Sequence, residues 1–398
     1  MTRFASTTSN LRSSEIRDLM SLATKPGIIS FAGGMPGNDL FPIKEIDEIY
    51  NNLSLTEKQL AMQYGPTNGL PTLMESLSAY LKKKGLPVEK NRILITTGSL
   101  QAINILAKAF IDPGDSILVE NPSFIGALSA FKSYQADIIP VTLNSDGISL
   151  TALEKAINKA PALPKFLYIT PCFHNPAGYL YSTSLKHELI QLMAGKNIPI
   201  IEDDAYSDLF FHPEDSERLT PIKAINPEGI DVCYTGSFSK IIGPGLRLGW
   251  MLVPPHIYEK CELIKQSFDA CSPSFTQVLA DKFLRSGAIY TYLDTVRKAY
   301  KTRAEAMFSA LEQHLPAYVK WEKPRGGFYI WLQLPEGADA TEILKKAIDK
   351  GAVFVTGKTF DPEGKKNNCL RVSYCNTSPE MIMKGIPEIA GAIREICG

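Results

Sequence analysis

The chain has 398 residues, 44% of them hydrophobic and 21% charged, a composition that buries a large interior and excludes a disordered or fibrous protein. Its 42 Lys and Arg balance 42 Asp and Glu, which argues against a general nucleic-acid binder, whose surface carries a basic excess. The length is about that of two domains, too long for a small binding module.

The N-terminal stretch MTRFASTTSNLRSSEIRDLM has no uninterrupted apolar core of signal-peptide type, and no segment reaches the roughly 18 apolar residues of a membrane span. A cytoplasmic protein with no membrane partner and no nucleic-acid partner is expected. The 7 cysteines form no C-x-x-C pair and the 5 histidines no H-x-x-x-H pair, so reduced thiols and no metal are expected. Before residue 45 there is one helix-like segment, 13–23, and then the apolar, Gly/Pro-rich IISFAGGMPGNDLFP, suited to crossing a cleft or a subunit contact.

From residue 70 to 255 the chain alternates. Short β-rich runs at 93–97, 116–119, 137–141, 166–170, 198–202, 232–235 and 248–253 are separated by helical patterns such as 100–110 and 184–195. This spacing predicts an α/β protein: a mixed, mostly parallel, seven-stranded sheet with helices on both faces. Residues 256–315 read as helical. The remainder, with GGFYIWLQL, a helix over 341–350, AVFVTG and LRVSY, reads as a smaller α+β unit. The predicted division is an arm over 1–45 that joins the small domain, a large domain over 46–289 and the small domain over 290–398.

In such sheets ligands bind at the carboxyl ends of the strands. The first such end is Thr97-Gly98-Ser99-Leu100, opening a helix whose free N–H groups suit a phosphate, though Gly-Ser is also an ordinary helix start. Next comes Pro171-Cys172-Phe173-His174-Asn175-Pro176-Ala177-Gly178, either a self-satisfied turn or a stiff one that presents the Asn175 amide. Asp203-Asp204-Ala205-Tyr206 follows an apolar strand and can bring a carboxylate and a phenol to one ligand. The fourth end is Gly236-Ser237-Phe238-Ser239-Lys240, leading to Arg247. Most lysines are solvated surface charges. Lys240, between small hydroxyl residues and an apolar segment, is placed to lose solvation and become a nucleophile toward a carbonyl. Arg247 adds a phosphate-binding fork. Phosphate cradle, lysine, carboxylate and polar ring contacts converge on pyridoxal 5′-phosphate.

With these motifs the chain resembles the fold-type I pyridoxal-phosphate aminotransferases (class I/II), and among them the 2-aminoadipate and kynurenine aminotransferase group. The resemblance runs from SSEIRDLM and FAGGMPGNDLFP through QYGPTNG, TTGSLQA, NPAG, EDDAY and SFSKIIGPGLRLGW to GGFYIW and LRVSY. It implies that Lys240 is the internal-aldimine lysine and carries the proton transfer, and that Asp203 holds the pyridine nitrogen protonated. It implies that Asn175 and Tyr206 bond the ring's phenolic oxygen, and that Ser99, the Leu100 amide, Ser237, Ser239 and Arg247 hold the phosphate. Arg371 matches the arginine that grips the substrate α-carboxylate, and Gly34 a backbone position lining the pocket. Tyr64 matches a tyrosine that reaches the partner subunit's phosphate, implying a homodimer with shared sites. Phe124 stands where relatives often stack a tyrosine on the ring. Cys172 and His174 receive no catalytic role.

Arg17 matches a residue on a helix that covers the pocket and can meet a distal carboxylate; a helix-surface charge is the alternative. The expected reaction is ping-pong amino transfer between glutamate/2-oxoglutarate and 2-aminoadipate, aromatic or branched-chain amino acids. A β-lyase or decarboxylase would keep the same cofactor residues. A non-catalytic effector domain of a transcription regulator is disfavoured by the short segment before Gly33.

Overall fold

The computed structural model describes residues 25–226 and 229–398, together with Arg3, Phe4, Thr8, Leu19 and Ser21. The predicted helix over 13–23 falls mostly outside the described residues, and Arg17 with it.

A two-residue strand, β1 (Ile29–Ser30), precedes the strands of the central sheet. These are β2 (Arg92–Thr96), β3 (Ser116–Asn121), β4 (Asp137–Asn144), β5 (Gly147–Ile148), β6 (Leu167–Ile169), β7 (Ile200–Asp204), β8 (Val232–Ser237) and β9 (Gly249–Val253). The sheet order is β2-β9-β8-β7-β6-β3-β4-β5. From β8 across to β4 the neighbours run parallel, whereas β9 is antiparallel to both β2 and β8. All seven expected strands are present. The eighth, β5, turns back on β4 through two residue pairs and is too short to leave an alternating pattern in the sequence.

Both faces of the sheet are covered, which is why its strands read as continuous apolar runs rather than alternating ones. Ile95, Tyr234 and Leu252 point into a core shared with helices Pro71–Lys83 and Ser274–Arg285. Their neighbours Leu94, Cys233 and Met251 point the other way, onto helices Ser99–Phe110 and Pro255–Asp269. Local chemistry sets the helix ends. Ser182 caps Thr183–Lys196 by accepting the Leu185 N–H at 3.3 Å, and Asn197 ends that helix in the left-handed region at φ 53°.

Four further strands complete the chain: β10 (Tyr329–Gln333), β11 (Ala352–Val353), β12 (Val355–Thr356) and β13 (Cys369–Ser373). β13 lies between β10 and β12, antiparallel to both, and β1 pairs parallel with β11. Helices Ala288–His314, Ala340–Asp349 and Pro379–Cys397 enclose this smaller sheet around a core that includes Phe31, Ile330, Val372 and Ile389. Among the described residues no helix is long and apolar enough to cross a membrane.

The topology concentrates functional groups at one edge. β3, β6, β7 and β8 are parallel, and β2 shares their direction through two antiparallel pairings, so all five carboxyl ends meet there. β9 brings its amino end, just after Arg247, to the same edge. Gly249 makes the junction possible: a Cβ there would lie 2.7 Å from the Gly98 carbonyl carbon and 2.8 Å from the Ser99 nitrogen. Backbone cannot yield as a flexible side chain does. Gly249→Ala is therefore expected to cost about 1–3 kcal/mol, read as a lower midpoint of urea unfolding. Gly245→Ala, facing open space, should leave the midpoint unchanged.

Candidate active site

A cavity of about 370 Å³ opens at this edge. Lys240, Asp203 and Tyr206 line it, with Ser99, Leu100, Phe124, Asn175, Ser237, Ser239, Arg247, Gly34 and Arg371. Tyr64 does not; its side chain points to solvent and is 86% exposed. Arg17 lies outside the described residues.

Lys240 follows the end of β8, and its Nζ donates to the Gly34 carbonyl at 2.9 Å. Burial, together with the nearby positive charges of Arg371 and Arg247, lowers this amine to about 8. An amine so lowered has a far larger neutral fraction near neutrality than an ordinary lysine, though still a minor one, and that fraction is available as a nucleophile or base. Asp203, at the end of β7, accepts from Tyr168 Oη at 2.8 Å and Thr235 Oγ1 at 3.0 Å. Burial pushes its carboxyl up to about 6, against the two hydroxyl donors that favour the anion. Burial holds Tyr206 well above the ordinary phenol range, so it stays a donor.

Asn175 sits in the turn after β6, preceding a cis peptide bond to Pro176. Its Oδ1 accepts from Arg371 Nη1 at 2.8 Å, and its Nδ2 faces Tyr206 Oη at 3.5 Å. Arg371, 2% exposed on β13, also donates to the Ala32 carbonyl at 2.5 Å. Its guanidinium lies against the Tyr329 and Phe360 rings at 4.3 and 4.7 Å, and its Nε has no partner. Among the described residues no carboxylate pairs with it. A buried cation without a counter-anion is costly unless a ligand supplies the charge.

The other end of the cavity suits an anion. Gly98 caps helix Ser99–Phe110 at φ +86°, where a Cβ would lie 2.9 Å from Arg247 Nη2. The first-turn amides of Ser99 and Leu100 have no intrahelical acceptor. Among the described residues, Arg247 donates only to the Thr97 and Pro244 carbonyls, each at 3.3 Å. Ser237 Oγ accepts the Ser239 N–H at 3.1 Å and shapes the turn that carries both hydroxyls.

Residues 35–389 match the family model for aminotransferase class I and II. The chain belongs to the class I and II aminotransferases. It is similar to aromatic-amino-acid aminotransferase 1 of Thermococcus litoralis, 36% identical over 97% of this chain and 92% of that one. It is also similar to the 2-aminoadipate transaminase of Thermus thermophilus, 34% identical over 96% and 94% of the two chains. The crystal structure of Pyrococcus horikoshii kynurenine aminotransferase in complex with PMP superposes with a TM-score of 0.94 at 36% identity, covering 98% and 97%.

For an aminotransferase of this family the cavity fits pyridoxal 5′-phosphate. The glycine-lined anion cradle suits the phosphate, and the buried Asp203 suits a cationic ring N–H. Thr170 Oγ1, buried in the cavity lining, has no hydrogen-bond partner among the described residues.

Several groups escape sequence reasoning. Tyr329 Oη is 3.2 Å from Tyr206 Oη, and a Cβ at Gly34 would lie 1.9 Å from the same Tyr329 oxygen. Gly34 is thus fixed by a ring nearly three hundred residues away in the chain. Gly126 leaves room for the Phe124 ring, which a Cβ would approach to 2.5 Å. Tyr168 and Thr235, the donors to Asp203, carry no motif of their own; the sheet register, pairing Asp203 with Thr235, is the signal that finds the second.

An amine reacts when neutral, and the neutral fraction of Lys240 passes one half near pH 8. In cofactor-free protein, trapping of Lys240 by an aldehyde and borohydride should reach half its maximum near there. Exposed lysines should do so near pH 10.4, their ordinary value. Peptide mapping of the label across the pH range checks this.

Proposed function

We propose that the chain transfers the amino group of 2-aminoadipate, aromatic or branched-chain L-amino acids to 2-oxoglutarate by a ping-pong mechanism. The observation that carries the substrate class is Arg371, a buried guanidinium facing the cavity and paired with no carboxylate among the described residues. It calls for an anion, and a two-pronged pair with a carboxylate fixes the orientation of the attached carbon. Pyridoxal 5′-phosphate supplies an aldehyde to carry the amino group and a protonated ring to accept the electron pair released at the substrate Cα.

The residues divide the work by their environments. Lys240 would hold the cofactor aldehyde covalently, and its Nζ, once displaced by the incoming amine and neutral, would hold and return the Cα proton. Asp203 keeps the ring nitrogen protonated: a carboxyl raised by burial gains most from a cationic N–H beside it. Asn175 and Tyr206 would donate to the ring oxygen, and Phe124 would lie against the ring. Ser99, the Leu100 amide, Ser237, Ser239 and Arg247 hold the phosphate. Gly34 shapes the substrate side, and Arg17 is assigned to a distal carboxylate.

Borohydride reduction of the loaded protein should place the label on Lys240, and Lys240→Ala should abolish turnover. Arg371→Ala should retain the cofactor colour while kcat/KM falls by two or more powers of ten, since a truncated partner leaves a charged group unpaired. No turnover of any acidic, aromatic or branched-chain donor with 2-oxoglutarate would overturn the substrate assignment.

The homodimer belongs to the same proposal. Tyr64 follows a stretch with exposed Leu55, Leu60 and Met62, the last 84% exposed, and apolar surface of this kind marks a docking face. On this reading Tyr64 reaches the phosphate of the partner's site. Tyr64→Ala should weaken cofactor affinity about 10- to 100-fold, as expected for a hydrogen bond to a charged group. Mixing it with Lys240→Ala subunits should restore tight sites in the hybrids. The division into an arm and small domain (1–45 and 290–398) around a large domain (46–289) is supported by the pairing of β1 with β11. A cytoplasmic location is in keeping with the 7 unpaired cysteines.

A further inference from the structure

Beneath the cavity lies a buried cluster that the proposed chemistry does not use. Glu120, next to last on β3, and His174, in the turn after β6, are both fully buried. Glu120 Oε1 accepts from Tyr181 Oη at 2.5 Å, and Oε2 accepts the Thr170 N–H at 2.9 Å. The same Oε2 lies 3.1 Å from His174 Nε2. That approach is oblique, an electrostatic contact rather than a linear hydrogen bond.

The imidazole is fixed from its other side too. His174 Nδ1 accepts the Ala177 N–H at 3.1 Å, so a neutral ring has its proton on Nε2, the nitrogen nearer the carboxylate. The His174 backbone N–H donates to the Tyr179 carbonyl at 2.9 Å, and its own carbonyl accepts the Gly178 N–H at 2.6 Å. One side chain therefore spans the Asn175-Pro176 turn from within and seats it on a carboxylate of the neighbouring strand.

We infer that His174, seated on Glu120, is the positioning residue that holds the Asn175 carboxamide between Arg371 and Tyr206. Asn175 bridges two groups with opposite demands, accepting from a guanidinium and donating toward a phenol, and its backbone must stay within a fraction of an ångström to meet both. A buried carboxyl with hydroxyl, amide and imidazole neighbours is a stiff anchor, because shifting any one of them gives up a buried polar contact that no water replaces. The same Glu120 oxygen that faces His174 also holds Thr170, so turn and cavity lining share one anchor. This inference rests on the reading that Asn175 contacts the cofactor and the substrate-binding arginine.

The test uses the loaded enzyme. His174→Leu removes both polar contacts at similar volume. It should raise KM for amino donors and lower kcat/KM by about 10- to 100-fold, the scale of a misplacement near 1 Å. It should also shift the cofactor's visible absorbance, because the ring-oxygen donor moves. Glu120→Gln should act in the same direction, and the double variant should be no worse than the poorer single one, as for two residues acting as a unit. If both variants melt at lower temperature yet keep wild-type KM, kcat and absorbance, the cluster is structural only and the inference is overturned. Should His174→Leu fail to fold, the isosteric Glu120→Gln decides alone. Asn175→Ala, run in parallel, separates the two layers: wild-type kinetics and absorbance in that variant would remove the underlying reading, whatever His174 does.

Discussion

The constraint on which the rest of the site depends is the burial of cations without carboxylates. Arg371 and Lys240 are stripped of much of their solvent, and the groups that receive them are dipoles: the carbonyls of Ala32 and Gly34 and the amide oxygen of Asn175. Dipoles lessen the desolvation cost of a guanidinium without cancelling its charge. A carboxylate in those positions would stabilise the fold and would also compete with any anionic ligand. The protein instead carries an electrostatic deficit at Arg371, the feature on which the proposed binding of a substrate carboxylate rests.

That arrangement explains why the segment around residues 31–35 is so tightly held. The Phe31 N–H donates to the Val353 carbonyl at 2.8 Å, and the Phe31 carbonyl accepts the Ser373 N–H at 2.9 Å, which fixes a strand-like stretch against the small sheet. The next two carbonyls needed, those of Ala32 and Gly34, are then aimed at cations that arrive from β13 and from the turn after β8. Gly34 has no room for a side chain because Tyr329 occupies the place. A short, nearly featureless piece of backbone thus couples the two sheets through charge, and it does so only where both are already packed.

Much of this is legible in the amino-acid sequence alone. Lys240, Asp203, Asn175 and Ser99 each come at or soon after the end of an apolar run, so a strand-end rule places them at one edge, and the parallel order of β6, β7 and β8, with β2 sharing their direction through β9, puts them together. The illegible part depends on contacts between strands or between the two sheets. Tyr168 reaches Asp203 diagonally across β6 and β7, Tyr329 meets Tyr206 from the small sheet, and the lack of a counter-ion at Arg371 is a property of the assembled interior. His174 looks idle in the sequence because its partner, Glu120, is 54 positions earlier and on another strand. Spacing along the chain identifies the residues at a strand's own end; it carries no information on the side chains that a neighbouring strand sets beside them.

The two aspartates at 203 and 204 show how far strand periodicity alone can separate roles. Successive side chains on β7 point to opposite faces. Asp203 meets only neutral donors, and burial raises it to about 6. For Asp204 burial acts in the same upward direction but is outweighed by Lys84 at 3.2 Å and by the hydroxyls of Ser207 and Tyr234, each at 2.6 Å, so the net shift is downward. Asp204 is therefore a committed anion inside a structural ion cluster, tying the end of β7 to the residue after helix Pro71–Lys83. Asp203, one position earlier, is left poised between protonation states. A one-residue slip of β7 would exchange their surroundings, giving the cavity an aspartate already matched to a lysine's charge and burying the poised one against Lys84. The register that pairs Asp203 with Thr235 and Asp204 with Gly236 excludes that slip, so the pairing of β7 with β8 determines which carboxyl lines the cavity and which is committed to Lys84.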